Sequence, residues 1–325
     1  MQYTTLGKTG VKVSRLCFGT MSFGAEADEE TSAKMFAMCR DAGINFFDCA
    51  NMYSKGKAEE ILGRLIKGCR DELVITSKVG FSVGDGRVER GLSRRSIMMA
   101  IEDTLRRLQT DRIDVYFCHT FDKTTPIEET LTALSDLVTQ GKILYIGLSN
   151  WAAWQIARAI GKTELLRLAP VHVLQPMYNL VKRTAEIEIL PLAQAEGLAV
   201  IPYSPLAAGL LTGKYSTTHK DPSGRIMNVE NYKKRYADEK YYEIAERFCE
   251  YARKQGIHPA TLAVAWVKAH PAVTAPIIGA RNPEQLKASL AAADYEMSRE
   301  QWEEISALSY RPPIATDRTE ELDQH

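Results

Sequence analysis

Short apolar runs alternate with longer amphipathic segments along most of the chain. The runs are rich in β-branched and aromatic residues, which is typical of buried strands, and the longer segments repeat apolar residues at helical spacing. The predicted strands are 16–19, 45–48, 73–76, 113–118, 143–147, 171–174, 199–202 and 274–278. The predicted helices are 30–42, 58–67, 94–108, 127–140, 153–160, 185–195, 241–255 and 284–292. This alternation indicates repeated β-α units.

Eight such units in a chain of this length favour an α/β fold of the closed (β/α)8 type, a TIM barrel, in a single domain over residues 1–325. The competing doubly wound sheet usually carries a G-x-G-x-x-G turn after its first strand. Here the first strand runs into Gly19-Thr20-Met21-Ser22-Phe23-Gly24, which lacks that spacing. The barrel is therefore the predicted architecture.

Two stretches lie outside the alternation. Residues 3–13 centre on Gly7-Lys8-Thr9-Gly10, which predicts an N-terminal β-hairpin that plugs the bottom of the barrel. Residues 215–239 are polar and too long for an ordinary β-α loop, which is typical of functional lids or mobile segments. We also expect a helical tail at the C-terminal end. The apolar run 260–267 carries no element assignment.

Composition and charge exclude several classes of protein. The chain has 325 residues, 45% of them hydrophobic, with 41 Lys+Arg against 41 Asp+Glu. A neutral chain without a basic stripe is not expected to bind nucleic acid. No apolar run approaches the roughly 20 residues of a membrane-spanning helix, and the N-terminus has no signal-peptide pattern. We expect a cytoplasmic enzyme with a small-molecule substrate, and the sequence leaves its oligomeric state open.

The cysteines and histidines give no pattern for a metal or a disulfide framework. The six cysteines include no C-x-x-C pair, and the six histidines include no H-x-H or H-E-x-x-H arrangement. We therefore expect reduced thiols and no metal ion, which disfavours a metal-dependent barrel hydrolase.

Polar side chains follow the second, third and fourth predicted strands. Asp48 closes the second strand, and Tyr53 lies in the loop after it. Lys78 closes the third and His119 the fourth. Each residue alone has an ordinary structural explanation, as a cap, a solvated cation or a satisfied histidine. Because active sites of such barrels lie at the carboxyl ends of the strands, we expect all four side chains to meet.

This set fits general acid catalysis. A phenol has an ordinary pKa near 10, and an adjacent ammonium lowers that pKa by favouring the phenolate. Tyr53 is the predicted acid, and Lys78 is the group expected to lower its pKa. Asp48 is the counter-ion that a buried lysine needs, and His119 is a donor that orients a substrate carbonyl or passes the proton.

With these residues the chain resembles the aldo-keto reductases over nearly all of its length. The resemblance implies reversible hydride transfer between a nicotinamide and a carbonyl group, with Tyr53 protonating the developing alkoxide. Asp48, Tyr53, Lys78 and His119 match the family's catalytic tetrad. The matching motifs are Leu6-Gly7-x-Thr9-Gly10, Phe18-Gly19-Thr20-Met21, Gly43-Ile44-Asn45-x-Phe47-Asp48-x-Ala50-x-x-Tyr53, Gly147-Leu148-Ser149-Asn150, Tyr203-Ser204-Pro205-Leu206 and Ile278-Gly279-x-Arg281.

The resemblance also implies a cofactor site. Its residues would be Gly19, Thr20, Met21, Asp48, Ser149, Asn150, Gln175, Tyr203, Ser204, Pro205, Leu206, Gly209, Lys214, Ile278, Gly279, Arg281, Gln285 and Ser289. Arg281 favours NADP(H), with NAD(H) as second choice, because a guanidinium pairs with a phosphate dianion. The chain departs from the family at Ala288-Ser289, where similar proteins commonly have Glu-Asn at the adenine.

The substrate pocket is the least defined part. Five apolar residues beyond the strand ends are candidates for its wall: Phe23, Met52, Phe81, Phe121 and Trp151. Arg225, in the polar stretch, could contact an anionic substrate or lie in water, and we favour water. The main functional hypothesis is an NADPH-dependent carbonyl reductase. The alternative is a nucleotide-sensing auxiliary subunit with slow turnover, since some members of this family serve membrane channels.

Overall fold

A computed structural model describes residues 1–83, 90–318 and 320, and its strands form a hairpin and one curved parallel sheet. The antiparallel hairpin consists of β1 (Tyr3–Thr5) and β2 (Lys12–Ser14). The parallel strands are β3 (Cys17–Gly19), β4 (Phe46–Asp48), β5 (Val74–Val79), β6 (Ile113–Cys118), β7 (Ile143–Ser149), β8 (Val171–Gln175), β9 (Ala199–Val200) and β10 (Ile277–Ile278). Their order is β10-β3-β4-β5-β6-β7-β8-β9.

Backbone hydrogen bonds join the two ends of this sheet. The Thr274 amide donates to the Val200 carbonyl at 2.8 Å, and the Ile277 amide donates to the Pro202 carbonyl at 2.9 Å. Thr274 lies shortly before β10, and Ile277 is its first residue. Val200 is the last residue of β9. The sheet therefore curls into a barrel, and the predicted (β/α)8 fold is confirmed.

Helices follow the strands on the outside of the sheet. They are α1 (Glu29–Asp41), α2 (Lys57–Leu65), α3 (Arg94–Leu108), α4 (Ile127–Thr139), α5 (Ala153–Leu165), α6 (Ile189–Glu196), α7 (Arg225–Asn228), α8 (Glu230–Arg235), α9 (Lys240–Lys254), α10 (Pro259–Ala269), α11 (Pro283–Leu290) and α12 (Arg299–Ala307). Within the described part of the chain, no helix is both long and apolar enough to cross a bilayer.

Alternate residues of the strands fill the barrel interior. Phe46, Val74 and Phe117 belong to this inner apolar cluster, whereas their chain neighbours Phe47, Ile75 and Tyr116 pack against the helices. Leu6 and Val13 of the N-terminal hairpin are fully buried in the inner cluster. The hairpin thus closes the amino-terminal end of the barrel and leaves the carboxyl ends of the strands as the open side.

Helix α10 is absent from the sequence-based assignment. All its residues from Ala260 to Lys268 are buried, so it has no polar face and no amphipathic period for a sequence pattern to detect. The Lys268 ammonium donates to three carbonyls, those of Ala292, Ala293 and Tyr295, at 2.6–3.0 Å. The expected C-terminal helix is present as α12, where Trp302 stacks on Trp266 of α10 with 5.7 Å between ring centroids.

The polar segment 215–239 is folded rather than extended. Helices α7 and α8 lie within it, and Tyr215 pairs with Lys220. Arg225 forms an ion pair with Glu26 at 2.6 Å. The sequence did not predict this partner of Arg225, because Glu26, in the loop after β3, is far away in the chain and gave no local signal.

Candidate active site

The carboxyl ends of β4 and β5 aim three polar side chains into the barrel. Asp48 follows the inward-facing Phe46 by two positions, and Thr76 and Lys78 follow the inward-facing Val74 by two and four. The period of two along a strand therefore places all three on the inner face. Asp48 and Thr76 are also direct neighbours in the β4–β5 register.

Lys78 is fully buried, and acceptors of neighbouring residues hold its ammonium. Its ammonium lies 2.7 Å and 2.8 Å from the two Asp48 carboxylate oxygens and donates to the Cys49 carbonyl at 2.7 Å. Burial lowers the pKa of Lys78, but the Asp48 carboxylate and the neighbouring Tyr53 and Cys49 together raise it by a larger amount, so the pKa ends above its ordinary value. Lys78 is a permanent cation at the bottom of the site.

Asp48 is fixed by more than its ion pair. Its Oδ1 also accepts from the Thr76 hydroxyl at 2.6 Å and from the Gln175 amide at 2.8 Å. The Thr20 amide and hydroxyl donate to its carbonyl at 2.9 Å and 3.0 Å. These bonds satisfy the carboxylate inside the barrel, where an unpaired charge would be costly.

Tyr53 begins a short helical turn after β4. Its hydroxyl lies 3.3 Å from the Lys78 ammonium. Burial raises the pKa of Tyr53, and the positive charge of Lys78 lowers it by a smaller amount. The net shift is upward, opposite to the expected lowering, because a phenolate loses more by leaving water than it gains from one ammonium. Tyr53 is thus a protonated phenol at neutral pH, as a proton donor must be.

His119 stands beside Tyr53 at the end of β6. The two rings are edge to face, with 6.1 Å between centroids, and the His119 amide donates to the Val79 carbonyl at 2.8 Å. Burial, followed by the charge of Lys78, lowers the pKa of His119 to about 3. Its buried Nδ1 has no hydrogen-bond partner among the described residues. An unpaired buried acceptor costs less than an unpaired donor, so we place the proton on Nε2.

A chain of polar side chains continues from His119 across the ends of β7, β8 and β9. The Asn150 amide donates to the His119 carbonyl at 2.8 Å and to the Ser149 hydroxyl at 3.1 Å. Ser149 donates to the Gln175 carbonyl at 2.9 Å, and the Tyr203 hydroxyl donates to Asn150 Oδ1 at 2.7 Å. Five of the predicted site residues therefore form one connected network.

The loop after β9 has a backbone suited to an anion. Ser204, Ala207 and Ala208 have φ between 50° and 60°, which non-glycine residues rarely adopt, and Gly209 follows at 94°. Leu206, with φ of -89° and ψ of 6°, is followed by the left-handed Ala207, and such a change of hand turns successive amide groups toward a common point and forms an anion-binding concavity. Pro205 is buried, whereas Leu206 and Lys214 are half-buried on the same loop.

The remaining predicted cofactor residues follow β3 and β10, which are neighbours in the sheet. Ile278 ends β10 and Gly279 follows it, and the Arg281 amide donates to Gln285 Oε1 at 3.3 Å. Ser289 is fully buried on α11, and its hydroxyl finds no partner in the described ranges. Gly19 and Met21 are half-buried beside Thr20, whose polar groups are already used by Asp48.

This donor set fits a nicotinamide dinucleotide. The amide and hydroxyl groups at β7–β9 suit a carboxamide, the left-handed loop suits a pyrophosphate, and the partly open Arg281 suits a ribose phosphate. The unpartnered Ser289 hydroxyl lies on the helix expected near the adenine.

The five expected substrate residues do not all lie in the same environment. Phe23 is fully buried and packs against Phe18 with 5.8 Å between centroids, so this expectation is corrected: Phe23 belongs to the hydrophobic core. Phe81 lies edge to face with His119 at 4.9 Å. Met52 is 39% exposed next to Tyr53 in the chain, and Phe121 contacts the buried Trp151 at 4.9 Å.

Two residues near the tetrad escaped the sequence reasoning. Thr76 holds Asp48, and its position two residues before Lys78 on the same strand face was the available signal. Asn51 is buried between Asp48 and Tyr53, and neither atom of its amide has a partner in the part of the chain that is described. No local pattern marked it. In those same ranges, no three His, Cys, Asp or Glu side chains are grouped as a metal site would need.

Comparisons with known proteins agree with this geometry. A family model described as "Aldo/keto reductase family" matches residues 15–309. The chain is 40% identical over 311 residues to "Uncharacterized oxidoreductase YrpG" of Bacillus subtilis (strain 168), covering 92% of this chain and 93% of the relative.

Two plant proteins are also similar. The chain is 36% identical over 332 residues to "Probable voltage-gated potassium channel subunit beta" of Arabidopsis thaliana, covering 100% of this chain and 97% of the relative. It is 37% identical over 303 residues to a protein of the same name from Oryza sativa subsp. japonica, covering 90% and 92%.

Proposed function

The chain belongs to the aldo/keto reductase family and is an oxidoreductase, and from this premise we propose that it reduces aldehydes and ketones with NADPH. One observation carries the proposal. A protonated, half-buried Tyr53 lies 3.3 Å from a permanent ammonium, and the imidazole of His119 stands beside it. This is an arrangement for giving a proton to a substrate oxygen.

NADPH, when bound, supplies a hydride to the carbonyl carbon. The chain's own residues transfer the proton and orient the substrate carbonyl. Tyr53 gives its hydroxyl proton to the carbonyl oxygen, which becomes an alcohol, and Lys78 stabilises the phenolate left behind. His119, protonated on Nε2, donates a hydrogen bond to the same oxygen and orients the carbonyl.

Asp48, Thr76 and Gln175 keep the proton donor in place. Thr76 and Gln175 donate to the Asp48 carboxylate, and Asp48 in turn holds the Lys78 ammonium 3.3 Å from the Tyr53 hydroxyl. Ser149, Asn150 and Gln175 would bind the nicotinamide carboxamide with the Tyr203 ring against it, and the loop from Ser204 to Lys214 would bind the pyrophosphate. Arg281 supports NADPH over NADH, because only NADPH carries a 2′-phosphate.

The proposal is tested by following cofactor absorbance with a panel of aldehydes and ketones, using NADPH and NADH in parallel. We expect turnover with NADPH and a much lower kcat/KM with NADH. A Tyr53→Phe variant keeps the ring and removes the proton, so kcat should fall about 100-fold or more while NADPH binding, measured by fluorescence, persists. A Tyr53→Phe enzyme as active as the parent would overturn the mechanism.

The names of the two plant relatives favour a second candidate, an auxiliary subunit that senses nucleotides. A channel subunit that binds NADPH could keep the tetrad and still turn over slowly. Tight NADPH binding with negligible turnover of every carbonyl compound, together with a stable membrane-channel partner in pull-down, would support this candidate and overturn the first.

A further inference from the structure

Two guanidinium groups, those of Arg90 and Arg235, lie at the open side of the site and have no role in the mechanism proposed above. Arg90 is exposed and stacks on the Phe81 ring, with 5.3 Å from its guanidinium carbon to the ring centroid. Phe81 in turn contacts the His119 ring at 4.9 Å. The Arg90 charge therefore lies across one phenyl ring from the group that we expect to bind the carbonyl oxygen.

Arg235 lies near the same site through its relation to Tyr203. It stacks on Tyr232 at 5.1 Å, and its charge lowers the pKa of Tyr203 against the larger effect of burial, which raises that pKa. Tyr203 is bonded to Asn150, and Asn150 is bonded to the backbone of His119. Arg235 is thus close to the Tyr203 side of the network that ends at His119.

Neither Arg90 nor Arg235 has an ion pair with any acidic residue among positions 1–83, 90–318 and 320. Arg225, by contrast, is already paired with Glu26. Unpaired guanidinium groups at a mouth attract anions, and a planar guanidinium binds a carboxylate with two parallel hydrogen bonds.

We propose that the site prefers carbonyl substrates that carry a carboxylate or another anionic group one ring-length from the carbonyl carbon, with Arg90 as the main anion-binding residue and Arg235 as a second cation. The proposal rests on the proposed reductase function and names its substrate class. The carbonyl lies at Tyr53 and His119, the body of the substrate lies along Phe81, and the anion meets Arg90.

A pair of matched aldehydes tests this directly. In 4-carboxybenzaldehyde the carboxylate and the aldehyde lie at opposite ends of one ring, and in 4-nitrobenzaldehyde a neutral group of similar shape replaces the carboxylate. We expect a higher kcat/KM for 4-carboxybenzaldehyde with the NADPH-loaded enzyme. Arg90→Gln should reduce the ratio of the two kcat/KM values about fivefold, mainly through KM, and Arg235→Gln should reduce it less.

Lys123→Gln is the control, because it removes the same charge from an exposed lysine in a separate cleft beyond Phe121, lined also by Trp154 and Arg158. It should leave the ratio unchanged. Salt should weaken the preference of the parent more than that of Arg90→Gln, which keeps only Arg235, since exposed charges are screened. Equal kcat/KM values for both aldehydes in the parent, or the same ratio in Arg90→Gln, would overturn the inference.

Failure of the reductase function gives a different result. If no carbonyl compound of the panel is turned over, these two aldehydes included, the proposed function is overturned, and calorimetry with benzoate on the NADPH complex still decides the anion site. Benzoate binding that weakens about fivefold in Arg90→Gln and not in Lys123→Gln supports the site. Identical benzoate affinity in all three proteins overturns it.

Discussion

At the scale of single residues, the buried charges of Asp48 and Lys78 depend on each other. Lys78 is fully buried, and its only acidic partner in the described ranges is Asp48. Lys78→Met therefore leaves a carboxylate without its cation, and we expect it to cost about 3–5 kcal/mol of the free energy of unfolding. Urea denaturation measures this loss.

The double variant Asp48→Asn/Lys78→Met separates stability from chemistry. Removing both charges should recover most of the lost unfolding free energy, but the tyrosine should remain a poor acid because no ammonium stabilises its phenolate. A double variant as unstable as Lys78→Met would show that the ion pair is not what the barrel interior depends on.

The low pKa of His119 makes stability depend on pH. In the unfolded chain the imidazole has a pKa near 6.5, whereas in the fold the pKa is about 3. His119 thus contributes stability that is full above pH 6.5 and is lost as pH falls toward 3, because the unfolded state takes up a proton first. Between pH 7.5 and 5 we expect the parent to lose about 2 kcal/mol more than His119→Gln.

Urea unfolding of both proteins at the two pH values measures this difference, and the other titrating groups cancel in the comparison. Equal losses in the parent and in His119→Gln would mean that the imidazole is not held neutral by burial.

At the scale of elements, close approach between strands β6 and β7 explains a glycine in the barrel wall. Gly147 pairs with Phe117, and a methyl group at position 147 would overlap with the Phe117 ring. Gly147→Ala must displace that ring from the inner cluster, and we expect a loss of about 1–3 kcal/mol in unfolding free energy. Thermal unfolding followed by circular dichroism measures it.

Gly161 provides the matched control. It lies exposed within helix α5, and a methyl group there meets nothing within 4 Å. Gly161→Ala should increase stability by about 0.5–1 kcal/mol because alanine loses less backbone entropy in a helix. A stabilising Gly147→Ala would contradict the packing assigned to β6 and β7.

At the scale of the whole molecule, the segment 215–239 joins parts of the chain that are distant in sequence. Arg225 pairs with Glu26 after β3, and the Ser223 carbonyl accepts from Arg281 after β10 at 3.4 Å. The segment therefore lies across the ends of two neighbouring strands, over the proposed cofactor groove. Because the Arg225–Glu26 pair is partly exposed, Glu26→Gln should accelerate NADPH release only about threefold.

Stopped-flow fluorescence measures that rate, and the charge swap Glu26→Arg/Arg225→Glu should restore slow release. High salt should speed release from the parent and not from Glu26→Gln. If the swap releases NADPH as fast as Glu26→Gln does, the ion pair does not hold the segment over the groove.

The sequence by itself determined the eight β-α units, the N-terminal hairpin and the family resemblance. Hydrophobic periodicity and turn-forming residues are local features of the chain. The end of a strand can therefore be predicted without knowing which strands lie beside it. Asp48, Lys78 and His119 were therefore found from their positions alone. Because parallel strands of a barrel end on one side, the proximity of these three side chains could be predicted as well.

The tertiary structure decided every property that depends on burial or on a distant partner. It reversed the direction of the Tyr53 pKa shift, placed Phe23 in the core, paired Arg225 with Glu26 and left Arg90 outside the ion pairs formed between described residues. Helix α10 was also decided by the tertiary structure. Its segment is buried on all sides and shows no amphipathic period in the sequence. Desolvation and Coulomb energies depend on distances between atoms, and residues far apart in the chain acquire those distances only when it folds.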